Sequence, residues 1–288
     1  MRILILGGDG MLGHQLLRHL APRHVVRVTL RQDLAAYERF GMFSPENAYA
    51  AVDLRVSDRL LAVLADFHPQ VVINAAGVVK QRPNGQEHIA NLEINALLPH
   101  RLALICQSIN ARLVHISTDC VFSGKRGHYT EEDAPDPVDV YGYSKLLGEV
   151  TDAGTITLRT SIIGTELSRR ASLVEWFLAQ QGTVKGYVNA VFSGFTTAEL
   201  SRVIERIVVD FPDRSGIYHA SSFPLTKHDL LVMLRDRLGL ATQIVPDGEV
   251  RCDRSLDSRR FQADFQYAPP SWDAMTDELV RQIRERSR

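Results

Sequence analysis

The chain has only three cysteines in 288 residues. Cys106, Cys120 and Cys252 lie far apart, without the paired spacing that a zinc site or a redox dithiol needs, so they are expected to be reduced and no metal site is expected. An excess of one charge is also missing: 33 Lys and Arg stand against 34 Asp and Glu, a formal net charge of −1. Binding nucleic acid by counterion release needs clustered cations, so no nucleic-acid partner is expected. The one basic run, Arg281-Gln282-Ile283-Arg284-Glu285-Arg286, is interleaved with a glutamate and reads as a solvated helix end. Long hydrophobic runs are absent too. Met1-Arg2 leads directly into Ile3-Leu4-Ile5-Leu6, too short for a signal core and far below membrane-spanning length, so the expected location is cytoplasmic with no membrane role. No internal repeat or low-complexity stretch breaks the pattern.

What is present is 45% apolar and 23% charged sequence, enough to bury a large core. Apolar runs of strand length (Ile3–Leu6, Val25–Leu30, Val71–Ala75, Leu113–Ser117, Thr155–Ile163) alternate with segments of helical period (Met11–Leu20, Asp58–Phe67, Ile89–Ser108, Tyr141–Val150). Such alternation predicts an α/β fold, because parallel neighbours need a crossover that a helix supplies. The near-continuous apolar character of the strands predicts helices on both faces: a Rossmann-type doubly wound parallel sheet. Beyond residue 163 the pattern loosens. The expected division is a dinucleotide-binding domain over 1–163, with 187–222 returning to it, and a smaller C-terminal substrate-binding lobe over 164–186 and 223–288. The cleft between them is the default substrate site. Pro246-Asp247-Gly248 and Pro269-Pro270 mark turns in the lobe, which ends in a helix from near Ser271.

Between the first strand and first helix lies Gly7-Gly8-Asp9-Gly10-Met11-Leu12-Gly13. The spacing of Gly7, Gly10 and Gly13 is that of a dinucleotide loop: a tight turn, close backbone approach to a pyrophosphate, and close helix packing. The helix N-terminus then offers free N–H groups to phosphate. Asp9, Met11 and Leu12 share this turn and are expected beside the cofactor. Arg31 follows the second strand where NAD sites carry an acid, and a guanidinium there suits a 2′-phosphate, so NADPH is expected, with NADH as the alternative. Asp53 and Leu54 are expected near the adenine. Asn74-Ala75-Ala76-Gly77 ends its strand in small residues suited to close packing on a cofactor.

Tyr141 and Lys145 stand four apart at the start of a helix, on one face. A phenol is a poor acid–base group near neutrality, and a neighbouring ammonium stabilises its phenolate. Thr118, in Ser117-Thr118-Asp119-Cys120 after an apolar strand, falls at the carboxyl end of the sheet, where ligands bind in such folds. His115 lies within that strand and is expected to be a core histidine. Trp176 and Phe177 are expected on an amphipathic lobe helix within Ser172–Gln181, and Tyr187 and Tyr218 are expected to pack.

Together Gly7/Gly10/Gly13, Ser117-Thr118-Asp119-Cys120-Val121-Phe122-Ser123-Gly124, Tyr141-x-x-x-Lys145-x-x-x-Glu149 and Leu158-Arg159-Thr160-Ser161 resemble the extended short-chain dehydrogenases, closest to the dTDP-4-dehydrorhamnose reductase family, over nearly the whole chain. Phe195-Thr196-Thr197 and Arg254-Ser255-Leu256-Asp257-Ser258 resemble that family's P-T and R-P-x-N-S elements. The resemblance implies an NADPH-dependent oxidoreductase that reduces the 4-keto group of a nucleotide-linked 6-deoxysugar in polysaccharide precursor synthesis. It implies Thr118, Tyr141 and Lys145 as the catalytic set, Asn95 and Thr160 among the cofactor contacts, and Arg254 and Ser258 near the sugar nucleotide. Lys80, Asp119, Cys120 and Phe192 are further candidates for the substrate, and a homodimer is compatible with the pattern.

The chain departs from the family at Cys120, where Tyr is usual, at Ile162, where Trp is usual, and at Ser255, where Pro is usual, so the identity of the sugar does not follow. A dehydratase or epimerase on the same fold is the enzymatic alternative. Dehydratases carry a carboxylate where this chain has Cys120, and a thiol is a poor substitute. A cofactor-binding regulatory subunit, like the beta subunit of methionine adenosyltransferase, is the non-catalytic alternative.

Overall fold

The computed structural model describes residues 1–79, 87–168 and 170–286. Two compact units emerge: 1–117 with 139–158 and 201–217, and 118–138 with 159–200 and 218–288.

The first unit is built on β1 (Arg2–Leu6), α1 (Met11–Leu20), β2 (Val25–Thr29), β3 (Ala48–Tyr49), α2 (Ser57–Phe67) and β4 (Val71–Asn74). There follows an irregular helix: α3 (His88–Asn91), a π turn (Leu92–Leu97) and α4 (Leu98–Ser108). After it come β5 (Arg112–Ile116), α5 (Val140–Leu147) and β6 (Thr155–Arg159). The sheet runs β3-β2-β1-β4-β5-β6, and β11 (Gly216–His219) follows β6 at its end. Every pairing from β3 to β6 is parallel. This is the Rossmann order, whose direction reverses between β1 and β4 and so leaves a crevice for ligand at the strands' carboxyl ends.

Burial explains the strand sequences. Ile3, Leu4, Ile5 and Leu6 point alternately to opposite faces, and all are at most 1% exposed. Leu4 and Leu6 pack with Val72, Leu113, Leu60, Leu64, Leu98 and Leu102 beneath α2 and α4. Each fully buried side chain of this kind contributes about 1.5–3 kcal/mol. Helix ends fall where the chemistry allows them: α2 closes on His68 in the left-handed region, and Asp139 caps α5 by accepting from Gly142 N at 2.7 Å.

The second unit holds β7 (Ile162–Ile163), α6 (Leu173–Leu178), β8 (Thr183–Tyr187), β9 (Ala190–Phe192), β10 (Phe195–Thr196), α7 (Thr197–Asp210), whose C-terminal part belongs to the first unit, β12 (Leu225–Thr226), α8 (Lys227–Leu238), β13 (Gln243–Asp247), β14 (Cys252–Asp253), α9 (Arg259–Asp264) and α10 (Trp272–Arg286). Residues 118–138, 159–163, 187–200 and 218–222, expected with the dinucleotide domain, group here by contact. The reason is long-range packing that no local pattern announces. Phe122 stacks on Tyr129 at 4.2 Å, Tyr129 bridges to Leu256, and Tyr129 N donates to Ser255 O. Tyr218 packs against Phe261 and Phe265, and α6 buries Phe177 while leaving Trp176 half-exposed.

Candidate active site

The glycine turn is shaped by the backbone beneath it. Gly7 has φ +84°, and an added Cβ would lie 3.0 Å from Ala76 Cα. At Gly13 a Cβ would collide with Gly7 O at 2.0 Å, so α1 lies directly on the turn. Thr29 Oγ1 accepts from Gly7 N, and Asp9 accepts from the Tyr37 hydroxyl. The N-cap of α1 is Gly10, with no capping side chain and no acid in the first turn. Its first N–H groups are thus left to an anionic ligand, and the helix field is not neutralised from within. Met11 is half-buried and Leu12 buried at the helix start. These features fit a dinucleotide pyrophosphate.

At the far end of β2, Arg31 is exposed. Asp53 does not stand free there: Arg55, two residues on and bearing no motif that marks it, pairs with it at 2.6 Å. The Arg55 hydrogen bond is the largest cause lowering the Asp53 pKa, and Arg31 adds to it. Arg55 also lies 3.9 Å from Glu93, so two guanidinium groups face two carboxylates here, and a guanidinium suits a phosphate better than a bare ribose hydroxyl. Leu54 packs against the core.

Below the turn, Asn74 is fully buried. Its Oδ1 accepts from Ala76 N and its Nδ2 donates to His115 Nδ1 at 3.1 Å. His115 Nε2 is buried without a partner among the described residues, and burial, then Lys145 and His100, pushes its pKa well below the ordinary value. Ala75 N donates to Leu6 O, and Gly77 lies against Asn95. Asn95, expected at the cofactor, has its amide taken up by Val78, Asn91 and Ser144. Lys80 lies outside the described residues.

Helix α5 carries Tyr141, half-buried, and Lys145, 4% exposed. Lys145 Nζ donates to Ile116 O at 2.5 Å. Burial lowers its pKa to about 8, and Glu149 opposes the shift. Glu149 in turn accepts from Ser117 Oγ at 2.7 Å. The carboxyl end of β5 thus anchors both the ammonium and its counter-charge.

In the second unit Thr118 Oγ1 accepts from Cys120 N at 3.1 Å and donates to Asp119 Oδ1 at 3.3 Å. Burial raises the Asp119 pKa; Arg254, the Cys120 and Thr118 hydrogen bonds, and Lys227 oppose it. Arg254 is held by Phe122 O at 2.8 Å and lies 3.5 Å from Cys120 Sγ, so the cysteine that replaces the family's tyrosine touches the arginine expected near the substrate. Thr160 is buried, and its carbonyl accepts from Asp119 N. Two expected substrate residues are engaged internally. Phe192 is 6% exposed and packs edge-on against Trp272, and Ser258 is 4% exposed and donates to Ser221 O. Within the same unit a cavity of about 500 Å³ is lined by Leu173, Trp176, Gln180, Thr183, Val184, Lys185, Tyr187, Lys227 and Leu231. Among the described residues no group of three or more His, Cys, Asp or Glu is arranged to hold a metal, and no helix is long and apolar enough to cross a membrane.

Comparison with known proteins places this geometry. The dTDP-4-dehydrorhamnose reductase of Salmonella typhimurium is 26% identical over 308 residues, covering 98% of each chain. The structure of a hypothetical dTDP-4-dehydrorhamnose reductase from Sulfolobus tokodaii is 28% identical, with a TM-score of 0.75 over 91% of this chain and 94% of that one. A dTDP-4-dehydrorhamnose reductase from Bacillus anthracis, solved in complex with NADP, shares the fold at 20% identity, with a TM-score of 0.79 over 98% and 99% of the two chains. The family model described as RmlD substrate binding domain matches residues 1–285, and the chain belongs to that family.

Proposed function

We propose that this protein is an NADPH-dependent reductase of the 4-keto group of a nucleotide-linked 6-deoxysugar, similar to dTDP-4-dehydrorhamnose reductase. The observation that carries the reading is Lys145: a buried ammonium one helical turn beyond Tyr141, held at the carboxyl edge of a parallel sheet whose first turn is Gly7–Gly13. The first unit is the dinucleotide domain and the second the substrate lobe.

NADPH, when bound, supplies the hydride. The Gly7–Gly13 backbone and the N-terminus of α1 would hold its pyrophosphate, and Arg31 would pair with its 2′-phosphate. Thr118 and Tyr141 hydrogen-bond the carbonyl oxygen and so stabilise the negative charge that develops there. The Tyr141 hydroxyl gives its proton to that oxygen, making the alcohol, and Lys145 stabilises the phenolate left behind. Asp119, Cys120 and Arg254 contact the sugar nucleotide. Lys227, a wall of the 500 Å³ cavity, is near enough to Asp119 to act on its carboxyl, which supports this cavity as part of the substrate site.

The working location is the cytoplasm, with no nucleic-acid partner. Two copies pair through the outer helices, a reading supported by exposed Ile89, Leu97, Leu104, Tyr143 and Leu147 on α3 to α5. Sedimentation at micromolar protein tests the dimer, and a monomer throughout refutes it.

The catalytic reading is tested by following NADPH oxidation with a panel of 4-keto-6-deoxy nucleotide sugars, for the wild type and Tyr141→Phe. Stoichiometric consumption with wild type and loss of turnover by about 10²-fold or more in the variant are expected. No consumption with any member refutes the reductase, and near-normal turnover in the variant removes Tyr141 from the chemistry.

A further inference from the structure

The helix from His88 to Ser108 is interrupted by one π turn, Leu92–Leu97, an irregularity found disproportionately at functional sites. Two asparagines, Asn91 and Asn95, sit one turn apart on its buried side, both 0% exposed. Buried amides cost stability unless every group finds a partner, and these do. Asn95 Oδ1 accepts from Val78 N at 2.9 Å, while Nδ2 donates to Val78 O at 2.9 Å and lies 3.0 Å from both Asn91 Oδ1 and Ser144 Oγ. Asn91 Nδ2 donates to Glu87 O at 2.9 Å. Ser144 Oγ has Tyr141 O at 2.9 Å and Asn91 Oδ1 at 3.3 Å as acceptors for its one proton.

The partners of this cluster give it meaning. Val78 continues the segment whose Ala76 lies against Gly7 in the glycine turn. Ser144 lies between Tyr141 and Lys145, and positions 141, 144, 145 and 148 form one stripe along α5. At the end of that stripe a Cβ on Gly148 would sit 1.9 Å from Asn95 O, so α5 is pressed onto the π turn there as well. One pair of buried amides therefore touches both the segment beneath the cofactor turn and the helix that carries the phenol and the ammonium.

We propose that Asn91 and Ser144 are positioning residues: through Asn95 they set the register of α5 against the glycine-turn segment and so aim Tyr141 and Lys145 at the reacting carbonyl oxygen. The proposal rests on the catalytic reading of Tyr141 and Lys145. Neither Asn91 nor Ser144 touches substrate in this scheme. Their effect falls on the alignment of reacting groups, where displacements of about 1 Å cost on the order of 10²-fold in rate.

The test compares Ser144→Ala and Asn91→Ser with wild type and Tyr141→Phe, reading kcat, KM for the sugar nucleotide, NADPH affinity by fluorescence, and the thermal midpoint. The expected result for each cluster variant is a folded protein with kcat lowered about 10- to 100-fold and NADPH affinity and KM within about twofold of wild type. A folded variant with kcat within about twofold of wild type overturns the proposal. So does one in which NADPH affinity falls as far as kcat, which marks the cluster as general scaffolding. Should Ser144→Ala not fold, Asn91→Ser is read by the same criteria, and failure of both to fold assigns the cluster to stability alone. Normal turnover in Tyr141→Phe, by contrast, would refute the catalytic reading itself.

Discussion

Lys145 Nζ donates to the carbonyl of Ile116 at 2.5 Å, so the charged end of α5 is seated on the last residue of β5. That contact places an ammonium in a site where burial lowers its pKa to about 8 and Glu149 pulls it back up. His115 and His100 also face this region from β5 and α4, and buried His115 is held neutral.

The first prediction concerns this balance. Lys145 must be protonated to stabilise a phenolate, so kcat/KM falls as pH rises through its pKa. Glu149→Gln keeps an acceptor for Ser117 and removes the charge, which lowers the Lys145 pKa. The alkaline limb of the pH–rate profile is expected to move down by about one unit. An unmoved limb would show that Glu149 does not act on Lys145.

Cofactor choice is the second. Arg31 lies near Asp53, and Arg55 is shared between Asp53 and Glu93. Arg31→Ala is expected to raise KM for NADPH about tenfold and to change KM for NADH by less than about twofold. Equal effects on both cofactors, or equal efficiency with both in the wild type, would dismiss the 2′-phosphate assignment.

A third follows from the turn. The Cβ of Gly13→Ala would lie 2.0 Å from Gly7 O, a backbone atom that cannot move without displacing the pyrophosphate site. NADPH binding measured by fluorescence should be lost, or weakened by about 10²-fold or more. Binding at wild-type strength would mean that α1 can shift away from the turn without harm.

The fourth concerns acid stability. His219 Nδ1 donates to Tyr129 O at 3.0 Å, which leaves Nε2 to accept from Arg159 at 3.2 Å. Burial, then Arg159, lowers its pKa from 6.5 to about 4. Between these values the unfolded chain binds the extra proton and the folded one does not, so stability falls as pH drops through that window. The loss from this group is about 2 kcal/mol between about pH 7 and pH 5. Urea unfolding at both values should show it, and His219→Gln should show less. An equal loss in the variant would transfer the effect to His115 or other groups.

Much of the first unit is legible in the residues themselves. The segment Met11–Leu20 is helical over its whole expected span, and Tyr141–Val150 yields a helix at Val140–Leu147, because amphipathic period and caps are local properties. The interruption at Leu92–Leu97 within the expected helix Ile89–Ser108 is not legible. It depends on where Val78 and Ser144 lie relative to the asparagines, and those partners are 17 and 49 residues from Asn95.

The substrate candidates divide along the same line. Arg254 meets Cys120 and Phe122 across more than 130 residues of sequence. Phe192 and Ser258 have the right type for a pocket, but Trp272 and Ser221 engage them. Residue type states what a side chain can bond to; only the packed chain states what has already bonded to it.

The sequence alone therefore determined the parallel α/β order, the glycine turn before α1 and the Tyr141/Lys145 pair, each encoded within about a dozen consecutive residues by steric and helical periodicity. Tertiary structure decided the charge on Lys145, the pairing of Asp53 with Arg55, and the amide cluster under α5. Those properties depend on burial and on hydrogen-bond partners that are remote along the chain, and neither exists until it folds.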